Sequence, residues 1–400
     1  MEINVNDLML SFSTALDYVE KSLVGVSSGH SKRVAALSSK MSAYFSQDSK
    51  QRFFLTVAAA LHDNALTEFI SEELIPSGLK ESKMNDYIGE NLGRHCVMGE
   101  QNVSTLSFYP EIKDVVLYHH EQADGNGPFH KEYWEVPLFA RIIHFADICD
   151  VKFHFDKLDR EKYQRINEFL EGDGQKLFDK ECIAAFRQIP YEELSQNSFN
   201  EELASIAPIK KDYNSEQVQA LAGFFAKIID YKSPFTSRHS LGVAQKAMEM
   251  SVFYGWDEEE QNKMYLAGAV HDVGKLAVDS DVLHKEGKLT SEEYEEIQNH
   301  AIGTYNILSK IGGLEEITAI ASHHHEMLDG TGYPFKKTAK DLTMKERVMA
   351  VVDIYQALTE PRPYKTAMTH HKAMTILNDM AEKGKLDKQI VMDINKKYGA

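Results

Sequence analysis

One spacing of histidines and aspartates occurs twice in this 400-residue chain. The C-terminal half carries His239, His271-Asp272, His300, His324-His325 and Asp353. The N-terminal half carries His30, His62-Asp63, His95, His119-His120 and Asp147. The copies are offset by 209 residues at the first histidine and the His-Asp pair, 205 at the next three histidines and 206 at the last aspartate. Ten of the 17 histidines stand on these positions. A duplicated metal site accounts for such register. Around it, HSKRVAALSSKM resembles HSLGVAQKAMEM, HHEQADGNG resembles HHEMLDGTG, and Arg141 and Arg347 each precede the last aspartate by six residues. Two domains are expected, at 1–205 and 206–400.

The pattern sits on helical sequence. FFLTVAAALHD and MYLAGAVHD are apolar stretches that end at a His-Asp pair. KERVMAVVDIYQALT places apolar residues at helical spacing. Alternating β-branched runs are scarce, and Pro and Gly gather in DGNGPF, DGTGYPF and EPRPY, which read as loops. The expected fold is all-α, two duplicated helical domains.

A hydrophobic content of 43% supplies two cores. A net charge of −17 argues against DNA as a partner, though a metal centre with a few cations can still hold a small phosphate ligand. No apolar run reaches the roughly 18–20 residues of a membrane span, and the N-terminus lacks the basic start of a secretory signal. Cys96, Cys149 and Cys182 show no metal-type spacing, so a reduced cytoplasm is expected.

The second copy offers five histidines and two aspartates, too many donors for one tetrahedral zinc. They suit two six-coordinate ions sharing Asp272, an arrangement that recurs in phosphoester hydrolysis. The donors suit iron, manganese, nickel or zinc alike. His130, His144, His154, His284, His323, His370 and His371 lie off the repeat and read as ordinary core or surface residues. Lys275 lies four residues after His271, and on a continuing helix it would point to the same side. Glu326 is a candidate acceptor for a ligand histidine.

HDVGK, HHE…DGTGYP and DIYQALTEPRPYK together resemble the HD-GYP branch of the HD phosphohydrolase superfamily over about 235–366. The resemblance implies an all-helical enzyme that hydrolyses a cyclic dinucleotide, cyclic di-GMP or 3',3'-cyclic GMP–AMP, with two or three iron or manganese ions. It implies that His239, His271, Asp272 and Asp353 hold one ion and that Asp272, His300, His324 and His325 hold the other. Some members add a third ion through a glutamate four residues before the first histidine, where this chain has Phe235. Lys275 would touch the scissile phosphate, and Arg362 and Lys365 would grip the dinucleotide phosphates. Gly332, Tyr333 and Pro334 form the GYP loop, tied in the family to substrate contact and to signalling-protein partners.

The first copy keeps every ligand-type residue but reads HDNAL for HDVGK, so Leu66 replaces the lysine. DGNGP lacks the tyrosine, and no RPY-like segment follows Asp147. A noncatalytic, regulatory copy is expected. The competing reading of the whole chain is a signalling scaffold that binds a nucleotide or a protein without turnover.

Overall fold

The structure is a computed structural model that describes residues 1–24, 27–74, 91–207, 209–232, 239–283, 285, 287–361 and 366–399. Phe235, His284, Arg362 and Lys365 lie outside these residues. The described residues are mainly helical, with one two-stranded ribbon among them, Glu2–Asn4 with Lys210–Asp212. The all-α expectation holds.

The chain divides into two compact units, Asn4–Lys210 and Lys211–Ala400, the latter joined by Met1–Ile3. The sequence repeat alone places a border near 205 and leaves the first residues with the N-terminal half. Backbone pairing moves them: Tyr213 donates its N–H to the Met1 carbonyl at 2.9 Å, and the terminal ammonium donates to the Tyr213 carbonyl at 3.2 Å.

Each unit is built on the same order of helices. In the N-terminal unit these are Val5–Val24, His30–Ser42, Ser49–Ala60, Leu92–Val103, the short Tyr109–Ile112 and Leu138–Phe153. In the C-terminal unit they are Ser215–Tyr231, His239–Phe253, Glu258–Val270, Ser291–Leu308, Glu315–Ser322 and Met344–Thr359. Local sequence sets their starts. Asp48, Asn214, Thr290 and Thr343 cap helix N-termini, each in a reciprocal box with a Gln or Glu three residues on. The charged segment after residue 156 yields Arg160–Glu171 and Lys180–Arg187. The last two helices, His370–Glu382 and Lys388–Tyr398, break around Gly384 at φ 74.

The cores are apolar up to the metal-type cluster. Val243, Ala244, Ala247, Ala267, Ala269, Val351 and Val352 are fully enclosed in the C-terminal unit, as are Val34, Ala35, Ala58 and Ile143 in the N-terminal one. Small side chains let the helices approach closely. A Cβ on Gly268 would lie 2.7 Å from the Ala244 Cα, so the helix carrying His271 meets the helix carrying His239 almost backbone to backbone.

Candidate metal centres

In the C-terminal unit all seven repeated residues converge. His239 opens its helix, Asp353 lies within Met344–Thr359, His271 follows Glu258–Val270, and His323–His325 follow Glu315–Ser322. His239, His271 and Asp353 form one compact donor group; His271, Asp272 and His324 form another; His300, His324 and His325 form a third. The shared members fuse them into one cluster. His239 Nε2 lies 3.1 Å from Asp353 Oδ1. Asp272 faces two sides, with Oδ2 3.2 Å from His271 Nε2 and Oδ1 3.4 Å from His300 Nε2.

The backs of the rings are fixed by the helices that carry them. Nδ1 of His271, His300 and His324 each meets the carbonyl three residues earlier, on Gly268 at 2.7 Å, Ile297 at 2.5 Å and Ala321 at 2.6 Å. A proton held there leaves the Nε2 lone pair facing inward, the tautomer a metal ligand needs. His239 uses a side chain instead: its Nδ1 lies 3.0 Å from Glu360 Oε2. Glu360 was not singled out in the sequence.

His271 Nε2 and Asp272 Oδ1 are buried and make no hydrogen bond among the described residues. Buried polar atoms cost free energy unless satisfied, and atoms of this type crowded face to face are what a divalent cation satisfies. The residues present therefore fit metal.

Protonation follows the same geometry. Burial drags His300 down to about 3. Burial also acts on His239, but its hydrogen bonds to the Asp353 and Glu360 carboxylates overcome it and hold that ring up at about 9. Asp353 is pushed well below the usual carboxylate range by the His239 bond and nearby rings, against burial. Asp230 anchors the start of the His239 helix by accepting from Ser240 Oγ at 2.6 Å, and burial raises its carboxyl to about 7.

Lys275 reaches the cluster by a route the helical expectation did not foresee. The α-helix ends at Val270, and Val273–Ala277 is a 3₁₀ turn. Residues three apart eclipse in such a turn, so Lys275 stands over Asp272, Nζ 2.5 Å from Oδ2. Its side chain is 22% exposed, open enough to meet a ligand. Tyr333 packs against the cluster's histidines, its ring 4.8 Å from His325 and 6.4 Å from His300.

Glu326 does not orient a histidine. Its two oxygens accept the backbone N–H groups of Phe335 at 2.7 Å and Lys337 at 2.9 Å. It clasps the GYP loop from inside. His323 keeps its structural reading, buried against Glu346.

The N-terminal unit reproduces the cage. His30 Nε2 lies 3.3 Å from Asp147 Oδ1, and Asp63 Oδ1 lies 3.3 Å from His95 Nε2 and 3.5 Å from His119 Nε2. His120 Nδ1 is 3.8 Å from Asp147 Oδ2. His62 and His119 bond backward to Ala59 and Val116 as their counterparts do. His62 Nε2, His119 Nε2 and Asp63 Oδ1 are again buried without hydrogen bonds, so this set fits metal as well. His30 is backed by Asp150 at 2.7 Å, itself clamped by Arg33.

The differences lie around the cage. Leu66 stands buried where the other unit has Lys275. Glu121 makes the same clasp as Glu326, accepting from Phe129 at 2.6 Å and Lys131 at 2.7 Å, but the residue matching Tyr333 is missing. That one deletion is the step from 205 to 206 in the repeat offset. His144, read as an ordinary core residue, is buried with Nδ1 3.1 Å from the His119 carbonyl. Cys96, read as having no metal-type spacing, joins a donor group with His95, His119 and His120. Sequence spacing missed it because its partners come from different segments.

A family model described as "HD domain" matches residues 20–168 and, separately, 223–390. The chain belongs to the HD domain family. Within it, the GYP loop and the HDVGK turn of the C-terminal unit place the chain with the HD-GYP proteins. Two HD-family relatives match over much of its length. The 3'3'-cGAMP-specific phosphodiesterase 1 of Vibrio cholerae serotype O1 is 28% identical over 323 residues, covering 75% of this chain and 73% of the relative. The 3'3'-cGAMP-specific phosphodiesterase 3 of the same organism is 27% identical over 303 residues, covering 74% of this chain and 65% of the relative. The cyclic di-GMP phosphodiesterase response regulator RpfG of Xanthomonas campestris is 34% identical over 168 residues, covering 40% and 43%. The crystal structure of V-cGAP3 from V. cholerae superposes with a TM-score of 0.68 at 22% identity, over 100% of this chain and 98% of that one. This shows that the tandem helical fold is shared. No helix among the described residues is long and apolar enough to cross a membrane.

Proposed function

We propose that this chain is a metal-dependent phosphodiesterase that opens a 3',5'-cyclic dinucleotide to its linear form, with the chemistry in the C-terminal unit. The observation that carries this is the meeting of the His/Asp cluster with Lys275, which stands on Asp272, and Tyr333, which packs on His325. Two divalent ions, iron or manganese by preference, would be held by His239, His271, Asp272, His300, His324, His325 and Asp353. They would supply Lewis acidity and an acidified water at neutral pH.

The chain's own groups do the rest. Asp272 presents one oxygen to each side of the cage, which suits a shared ligand. Glu360 and the helix carbonyls hold the rings in the ligating tautomer. Lys275 is placed to leave Asp272 for a phosphate oxygen when substrate arrives. Tyr333 offers a ring face for a base to stack on. Arg362 and Lys365 are proposed to hold the dinucleotide phosphates. The GYP loop, flanked by exposed Thr331 and Phe335, is also the surface proposed for a signalling-protein partner. Between substrates, 3',3'-cyclic GMP–AMP is favoured, because the two relatives that match over both halves of this chain bear that specificity in their names.

The N-terminal unit is proposed to hold metal without turning over substrate. Leu66 offers no cation to a phosphate, and the loop after Gly127 offers no tyrosine.

The test is chromatographic. Anaerobically purified, metal-analysed protein is incubated with cyclic di-GMP and with 3',3'-cyclic GMP–AMP. Turnover that Asp272→Ala abolishes and Asp63→Ala spares is the expected result. A metal-loaded protein that hydrolyses neither would overturn the proposal and favour the scaffold reading.

A further inference from the structure

The first histidine of each cage is backed by a carboxylate, but the two units bring that carboxylate by different routes. In the N-terminal unit Asp150 meets His30 Nδ1 at 2.7 Å. Arg33 grips both Asp150 oxygens, through Nε at 2.7 Å and a terminal guanidinium nitrogen at 2.8 Å, and both side chains are buried. At the register of Arg33 the C-terminal unit has Gly242, and at that of Asp150 it has Gln356. Both charges are gone, and the carboxylate comes instead from Glu360, one helical turn beyond Gln356.

Glu360 stands just past the helix Met344–Thr359, with its backbone already extended. A long side chain there has rotamer freedom to lose in holding one position. Gln356 holds it at both ends. The Gln356 carbonyl accepts the Glu360 N–H at 2.9 Å. The Gln356 side-chain amide donates to Glu360 Oε2 at 3.2 Å, and the same oxygen meets His239 Nδ1 at 3.0 Å. Gln356 is buried, and its seat depends on Gly242, where a Cβ would lie 2.1 Å from Gln356 Nε2. A large residue facing a small one, Arg33 on Asp150, has become a small one facing a large one. The two differences between the units are therefore one device.

We propose that Gln356 is a positioning residue of the hydrolytic cage: seated on Gly242, it turns the Glu360 carboxylate onto His239. The two supports differ in charge. Asp150 shares its charge with Arg33, whereas the only ion-pair partner of Glu360 among the described residues is the His239 ring itself. An undivided carboxylate behind an imidazole makes it the stronger donor to an ion. The inference rests on the reading that the C-terminal cage binds metal, and not on which dinucleotide is cleaved.

The test uses the full chain carrying Asp63→Ala, so that the C-terminal cage is the one read. Mn(II) is the probe and chelator competition the readout. Gln356→Leu removes the amide at similar volume, and Mn(II) affinity should fall about tenfold. The same change made beside Glu360→Gln should cost almost nothing more, because Gln356 acts only through the glutamate. Gly242→Ala should reproduce the loss by a second route. The atom its Cβ meets is the tip of a side chain, so the amide yields and the backbone stays. Undiminished affinity in Gln356→Leu, or a loss that simply adds to that of Glu360→Gln, would overturn the inference alone. A parent chain that binds no Mn(II) would overturn the metal reading of this cage with it, while turnover by the unmodified chain would still judge the phosphodiesterase proposal separately.

Discussion

The carboxylate of Glu326 accepts the backbone N–H of Phe335 at 2.7 Å, and its other oxygen accepts that of Lys337. Glu326→Ala leaves both donors without their partner. The expected loss is about 1–3 kcal/mol of stability, read from urea melts, with a rise in KM as Tyr333 loses its support. Glu326→Gln keeps one good acceptor and should lose less. An unchanged melt and KM for the alanine variant would show that the loop holds itself.

Lys275→Met removes the cation and keeps most of the side-chain volume. Metal content should stay the same while kcat falls about 10²–10³-fold, the usual cost of losing one group that stabilises developing charge. Loss of metal together with activity would instead make Lys275 a support for Asp272.

Glu360 acts through His239. Glu360→Gln removes the charge behind Nδ1, and changes behind a ligand typically cost about 10–100-fold in metal affinity. Chelator competition measures it. An unaltered affinity would remove Glu360 from the site.

The same pair gives a pH dependence. His239 is held up at about 9 in the metal-free chain, so at neutral pH it carries a proton that metal must displace. Apparent metal affinity should therefore climb about tenfold per pH unit as pH rises from 7 toward 9, one proton being released per ion bound at this ligand. His300, dragged down to about 3, adds no dependence in that range. The stability of the metal-free protein runs the other way. A histidine raised from 6.5 stabilises the fold fully below 6.5 and loses that contribution as pH rises to about 9. Melting metal-free protein across this window checks the sign, and Glu360→Gln should flatten both curves.

A fifth expectation concerns packing. A Cβ on Gly274 would sit 2.0 Å from the His300 carbonyl and 2.6 Å from the Thr304 nitrogen. Both are backbone and cannot swing away. Gly274→Ala should cost about 1–3 kcal/mol or more and disturb His300. In the N-terminal unit the sizes are exchanged: Ala65 matches Gly274, and Gly99 matches Thr304. Urea melts measure the loss, and an unchanged midpoint would show that the turn can shift to make room.

The helical fold and both cages were legible in the sequence for one reason. A repeat in register labels its His/Asp set, since fourteen chemically matched positions cannot drift together by accident. What stayed hidden came from contacts the repeat does not align. Glu360 lies seven residues after Asp353, whereas Asp150 lies three after Asp147, so the two ring supports never face each other in an alignment. Cys96 showed no metal-type spacing because His119 and His120, which share its donor group, are distant in sequence. Glu326 follows two ligand histidines and invited a role beside them, but two backbone N–H groups of the following loop were the stronger demand on its carboxylate. Lys275 was placed on the correct side for the wrong reason, a 3₁₀ turn substituting for an α-helical one.

The glutamate clasp makes the segment between its two ends a replaceable cassette. Glu121 and Glu326 hold equivalent backbone positions although one loop is a residue shorter, so the cage behind the loop keeps its register whether or not the tyrosine is there. A single residue can thus be added to the loop or taken from it without moving the cage, and inserting a tyrosine after Gly127 becomes a way to ask whether the N-terminal half gains turnover.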